Sequence, residues 1–489
     1  ESFDRLGGPV FYYYPPLAFW LDALLSVATA NLVPMSYRLS LGWLLLLWAS
    51  GLAMHAWLKA DARAPWAALG GAVAYMVAPY HLFDHYERGA YAEFAAYAFL
   101  PLVALAVRRV AEGRRFGLVF LATAYAGLTM AHLPASLLVS LTVLPLYVLY
   151  RGWRLGEVRP AIGFFARCTL GGGLGLGLAA IYLVPALTLQ GWISAEQWWT
   201  PHFQVGKWSL LPFVLSGDLD GVMVIVAWGT LAYGLAVIGV LTVLALARRW
   251  QGLRSEAAFW SFACLLCLMI VAGLVPWFWQ IPFAARVQFP WRLMMVVEFA
   301  AITSLCLVSW KGRSPLAGLI FGVAALALVP CADEIARSVR AQVDATMTDP
   351  HEPTDAKEYL PAGYPQKADA GPAELSLEAL QHQPTISCRP ATPVCRADEA
   401  GSGDLRIEVE GPTTVTLRRF FFPAWRLDPE LAIAADPMKL VSFTAPAGRH
   451  AWRLERRVLP AEQWGRAISG LSLILLLGAA ALSARSSAA

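Results

Sequence analysis

Thirteen residues, His81-Leu-Phe-Asp84-His85-Tyr-Glu87-Arg88-Gly89-Ala-Tyr91-Ala-Glu93, form the densest polar cluster in this chain, and two apolar runs bracket them. Ionisable side chains at a membrane edge are costly unless they are paired or used. Asp84 and Arg88 stand four apart, a spacing that by itself gives only a surface ion pair worth about 0.3 kcal/mol. Carboxylates, a guanidinium and two imidazoles in so short a stretch exceed what a turn needs, which makes the segment a candidate site. The His, Asp and Glu content also invites a metal reading. Against it, the sequence holds no HExxH and no paired CxxC, so no metal ligands are assigned.

A second cluster, Arg286-Val-Gln288-Phe-Pro-Trp291-Arg292, precedes another apolar run. A guanidinium there can clamp a phosphate at headgroup level, or simply snorkel from the helix end. Glu298 falls about two turns further on, inside the apolar layer, where it needs a partner. His132 and His202 are external-side histidines that could line a cavity but read more readily as hydrogen-bonded structural residues, and Lys207 as an anchor or a contact for an anionic lipid.

These clusters must be positioned by a membrane bundle. Of 489 residues 58% are hydrophobic and only 15% charged, which is wrong for a soluble chain. Apolar runs at 41–57, 65–80, 91–107, 116–131, 134–150, 161–189, 222–247, 257–275, 291–310, 315–331 and 467–484 give eleven candidate spans. Lys and Arg concentrate in RRVAEGRR at 108–115, RGWRLGEVR at 151–159, RRWQGLR at 248–254 and KGR at 311–313. The positive-inside rule makes these loops cytoplasmic and the aromatic-rich loops between them external. Parity then places residues 1–40 outside, with the apolar stretch 16–32 lying along the interface rather than crossing.

The expected organisation is an external segment at 1–40, a transmembrane bundle at 41–331, an extracytoplasmic domain at 332–466, and a final helix with a short tail at 467–489. The third part opens as an extended loop; LRIEVEG, TTVTLRRFFF, KLVSFTAP and HAWRLERRV then alternate as strands of a small antiparallel sheet or sandwich. Cys388 and Cys395 lie in that domain, where an oxidising compartment favours a local disulfide; the other five cysteines read as small hydrophobes. There is no Walker loop, dinucleotide fingerprint or Gly-x-Ser-x-Gly elbow. The scattered basic loops give topology rather than nucleic-acid binding.

In chain order, GGPVFYYYPPLAFWL, AYMVAPYHLFDHYERGAYAEFAAYAFLPLVAL, MAHLP, RVQFPWRL, KEYLP, RRFFFPAWRL and FTAPAGRHAWRL together resemble a bacterial membrane-protein family. It is labelled "6-pyruvoyl-tetrahydropterin synthase-related" and is related to YfhO-like proteins and the wider GT-C glycosyltransferases. The zinc-binding histidines of the pterin enzyme are not in this sequence, so the label carries no pterin chemistry here. The resemblance implies a mainly α, GT-C-like helical bundle in the bacterial inner membrane. It also implies transfer of a sugar from a polyprenyl-phosphate carrier to an extracytoplasmic acceptor. In such proteins the catalytic acid lies in the first outer loop. This sequence begins inside what resembles that loop, so the acid is expected upstream of residue 1, and Asp4 is not promoted to that role. By resemblance and position, Asp84 and Glu93 become acid–base or orienting groups. Arg88 and Arg292 become phosphate partners, with His81, His85, Arg286 and Gln288 beside them. The implied partners are the lipid-linked sugar and membrane lipids, with a divalent metal left open as cofactor and the oligomeric state unassigned. A non-catalytic relative and a lipid or solute transporter are the rival readings. A transporter would carry polar residues at mid-membrane in corresponding halves.

Overall fold

Runs of Leu, Val, Ala and Phe without charge satisfy their backbone groups internally, so in a bilayer they become helices. The computed structural model describes residues 6–60, 65–195, 204–246, 255–308, 315–348, 357–364, 380, 383–389, 395–400 and 403–485. His202, Asp4 and the basic loops at 248–254 and 311–313 lie outside the described residues. The protein is mainly helical, with a small antiparallel β unit before its last helix. Among the described residues, seven helices are long and apolar enough to cross a membrane. They are Met35–Lys59, Tyr91–Ala111, Val158–Leu178, Val222–Ala245, Pro290–Leu307, Gly318–Ala341 and Pro460–Ala484. A bent pair, Leu133–Leu141 and Val143–Arg154, could form an eighth. Leu17–Ala28, Gly117–Ala131 and Glu256–Ala272 are shorter apolar helices.

The chain divides into two compact units. The larger, residues 15–179, 199–351 and 468–489, is the helical bundle. Its Tyr91–Ala111 helix is buried along most of its length and is rich in alanine, which lets neighbouring helices approach closely. Gly175 serves the same end in the Val158–Leu178 helix: a Cβ there would sit 2.8 Å from the carbonyl oxygen of Ala122. Two readings of the sequence change here. The run 134–150 is not one helix but breaks at Thr142 with a bend of 41°. The Thr142 hydroxyl donates to the carbonyl of Leu138 at 2.6 Å, a back-bond that commonly bends helices. Residues from 332 begin not as a loop but as part of the Val329–Thr348 helix. Arg337 pairs with Asp333 at 3.3 Å and Glu334 at 2.6 Å there, at helical spacings that stabilise the turn.

The smaller unit comprises residues 1–14, 180–198 and 352–467. The expected sheet is a sandwich of two four-stranded antiparallel sheets. One has the order β1 (Ile386–Arg389), β4 (Thr413–Phe420), β7 (Leu440–Ala445), β6 (Ala434–Ala435). The other has the order β2 (Cys395–Ala400), β3 (Asp404–Val409), β8 (Gly448–Arg456), β5 (Trp425–Asp428). On β3, Leu405, Ile407 and Val409 point inward while Arg406 faces out, the period of two that buries one face. Val415 opposite Phe443 and Leu405 opposite Trp452 continue that core. Cys388 is disulfide-bonded, whereas Cys168, Cys264, Cys267, Cys306 and Cys331 are free thiols; the Cys395 side chain lies outside the described residues.

Candidate functional site

The short helix Pro79–Tyr86 carries Tyr80 and Asp84 one turn apart, and Arg88 follows just past its end. All three therefore face one side. The chain reverses at Gly89, whose φ of +56° suits glycine, and enters the Tyr91–Ala111 helix with Glu93 in its first turn. Nη1 of Arg88 donates to the Tyr80 hydroxyl at 2.8 Å, to Glu93 Oε2 at 2.9 Å, and to Asp84 Oδ1. The Tyr80 hydroxyl in turn donates to Glu93 Oε1 at 2.8 Å. Arg292 enters from the start of the Pro290–Leu307 span, its Nε 3.5 Å from Glu93 Oε2. It is held by the Val287 carbonyl at 2.7 Å and lies over the Phe289 ring at 5.2 Å. Asp84, Arg88 and Glu93, close in sequence, and the distant Arg292 thus converge on one buried ion cluster.

Asp84 and Glu93 are buried, while the two guanidiniums keep 19% and 12% exposure, so the cluster's cations reach its edge. Asp84 Oδ2 is buried and has no hydrogen-bond partner among the described residues. Burial, then the negative charge of Glu93, push the Asp84 carboxyl well above the usual carboxylate range. The arrangement therefore joins a carboxyl whose proton affinity burial has raised with two cations able to hold an anion.

Glu298 is fully buried and has the partners it needs. Pro79 opens its helix, and no side chain of the adjoining segment caps the exposed N–H groups. Glu298 Oε1 accepts the Tyr80 N–H at 2.8 Å, and Oε2 accepts the Tyr97 hydroxyl at 2.8 Å. It acts as an N-cap delivered from another helix. Sequence reasoning passed over Tyr80 and Tyr97. The available signal was the i, i+4, i+8 spacing of Tyr80, Asp84 and Arg88.

His81 and His85 share the Pro79–Tyr86 helix with Asp84. His81 stacks on Tyr97 at 3.7 Å and pairs through Nδ1 with the Tyr75 carbonyl at 3.1 Å; burial holds its pKa down to about 3. His85 packs against Trp43 with ring centroids 4.3 Å apart and the planes tilted by 48°, its pKa also lowered by burial. Both imidazoles are thus neutral at physiological pH and pack with aromatic rings. Arg286 is exposed, and Gln288 takes a left-handed backbone, φ +71°, in the turn that delivers Arg292. His132, buried between two helices, interacts electrostatically with Glu93, and its Nδ1 has no hydrogen-bond partner among the described residues. Among the described residues no three His, Cys, Asp or Glu side chains are grouped to hold a metal ion.

The apolar helices and the charged cluster buried among them define a multi-pass membrane protein. Residues 11–337 match the 6-pyruvoyl-tetrahydropterin synthase related domain, described as a membrane protein, and the chain belongs to that family. No curated protein and no solved structure matches it.

Proposed function

We propose that the protein is a membrane glycosyltransferase, moving a sugar from a polyprenyl-phosphate carrier to an acceptor on the extracytoplasmic side of the bacterial inner membrane. The observation that carries this reading is the buried cluster of Asp84, Arg88, Glu93 and Arg292, in which one Asp84 oxygen is left without a partner. Asp84 removes the proton of an acceptor hydroxyl as its oxygen bonds to the anomeric carbon. The bond from that carbon to the carrier phosphate breaks, its electron pair leaves on the phosphate oxygen, and Arg292 and Arg88 stabilise the charge. Glu93 keeps both guanidiniums aimed. The disulfide at Cys388 supports an oxidising, extracytoplasmic setting for the β unit.

The test is transfer by the protein in lipid nanodiscs, using labelled polyprenyl-phosphate sugars and candidate acceptors. Asp84→Asn is expected to lower turnover by roughly 10²–10⁴-fold, and Arg292→Ala to weaken use of the donor. Unaltered transfer in both variants would remove these residues from the mechanism. A non-catalytic relative is the competing reading, favoured by the three partners that already engage Arg88. It predicts no transfer with any donor, together with loss of folding in the same variants.

A further inference from the structure

The opposite end of the Tyr91–Ala111 helix borders a cavity of about 570 Å³, within the range of small-molecule sites, roughly 300–1,000 Å³. Among the described residues five cationic side chains line it, Lys59, Arg108, Arg109, Arg114 and Arg115, with one lining carboxylate, Glu112. The wall is built rather than loose. Gly113, with φ +65°, turns the chain, and the Arg114 N–H returns to the Arg109 carbonyl at 2.9 Å. Gly117 closes the turn so tightly that a Cβ on it would meet the Arg109 and Val110 backbone at 3.0 Å.

The cations divide by what holds them. Arg108 spans Glu112 at 2.6 Å and the Ala60 carbonyl at 3.0 Å, and Arg115 reaches the carbonyls of Ser483 and Ala484 at 2.6 and 2.8 Å. These two fix the walls. Arg109 lies over the Phe120 ring at 4.8 Å, and Arg114 shares Glu112 at 3.4 Å while 72% exposed; Lys59 is exposed at its helix end. Glu112, even with Glu256 4.0 Å from Arg108 Nη1, does not balance five cations, so the described lining carries a positive excess. Ala56, Leu105 and Phe116 add an apolar flank at the end of two apolar helices. A charged concavity beside an apolar flank suits a tetrahedral anion on an apolar stem.

We propose that this cavity binds a phosphate-bearing anion, with Lys59, Arg109 and Arg114 contacting its oxygens while Arg108 and Arg115 hold the walls. The site is separate from the cluster around Glu93 and does not depend on the proposed transfer activity. The full chain is reconstituted in phosphatidylcholine nanodiscs. Binding of dioctanoyl phosphatidylglycerol, dioctanoyl phosphatidylcholine and inorganic phosphate is then measured at low and high salt. Phosphatidylglycerol is expected to bind at least about tenfold more tightly than phosphatidylcholine, with the preference falling as salt rises. Arg109→Gln combined with Arg114→Gln is expected to abolish that preference. Arg109→Lys keeps much of it, and Arg449→Gln, an exposed arginine of the β unit, leaves it intact. Inorganic phosphate that binds with the same dependence on Arg109 and Arg114 identifies free phosphate as the source; no phosphate binding identifies the headgroup. Equal binding of both lipids without phosphate binding, or a preference that persists in a folded double variant, overturns the proposal.

Discussion

The two ends of the Tyr91–Ala111 helix, about 22 Å apart from Glu93 to Arg108, treat charge in opposite ways. At the first, Glu93 is 2% exposed and meets two guanidiniums and a tyrosine hydroxyl, so its charge is matched inside the bundle. At the second, Glu112 is 30% exposed and lies beside an excess of arginines that water and salt can reach. The first end spends most of its polarity on fixing geometry, because unpaired buried ions are costly, and leaves Asp84 Oδ2 as its open position. The second leaves cations unbalanced and therefore available to a ligand. Similar residue types thus give a charge-matched, buried network in one place and an open anion site in the other, with burial and charge balance making the difference.

The largest break in this comparison comes from Glu93→Gln, which leaves Arg88 and Arg292 short of their shared countercharge. The expected loss is about 3–5 kcal/mol of folding stability, read from equilibrium unfolding in mixed micelles; a change below about 1 kcal/mol would show the cluster to be more solvated than its burial implies. Tyr80→Phe should follow, costing roughly 1–3 kcal/mol, because Glu93 Oε1 loses its buried donor without any change of packing. At the basic end Glu112→Gln is expected to change stability by at most about 1 kcal/mol. That small effect should vanish in high salt, whereas the effect of Glu93→Gln should persist. A salt response of equal size at both ends would erase the distinction.

Much of the architecture was legible because it follows from local pattern. Met35–Lys59 and Val222–Leu246 are long apolar runs, and β3, β4 and β8 alternate over much of their length. The bend at Thr142 was hidden because hydropathy says nothing about where a hydroxyl competes for a carbonyl. The strands β1, β5 and β6 have four residues or fewer, too short for alternation to stand out, and β2, Cys-Arg-Ala-Asp-Glu-Ala, has no large apolar residue to mark a buried face. At the site, Asp84, Arg88, Glu93 and Arg292 stood out by type and position. Their meeting depends on Arg292 arriving from a distant helix, which no spacing rule encodes. The capping role of Glu298 was equally out of reach, since it and Tyr80 lie 218 residues apart.

Tyr80 is held at both ends, its backbone N–H by Glu298 and its hydroxyl by Glu93 and Arg88. A rigid aromatic side chain so fastened works as a ruler. It sets the separation of the Met294–Leu307 and Tyr91–Ala111 helices at the depth of the cluster, so neither can slide along the other without breaking a bond to this one residue. In the proposed transfer, an acceptor that reaches Asp84 would therefore meet a gauge of fixed length.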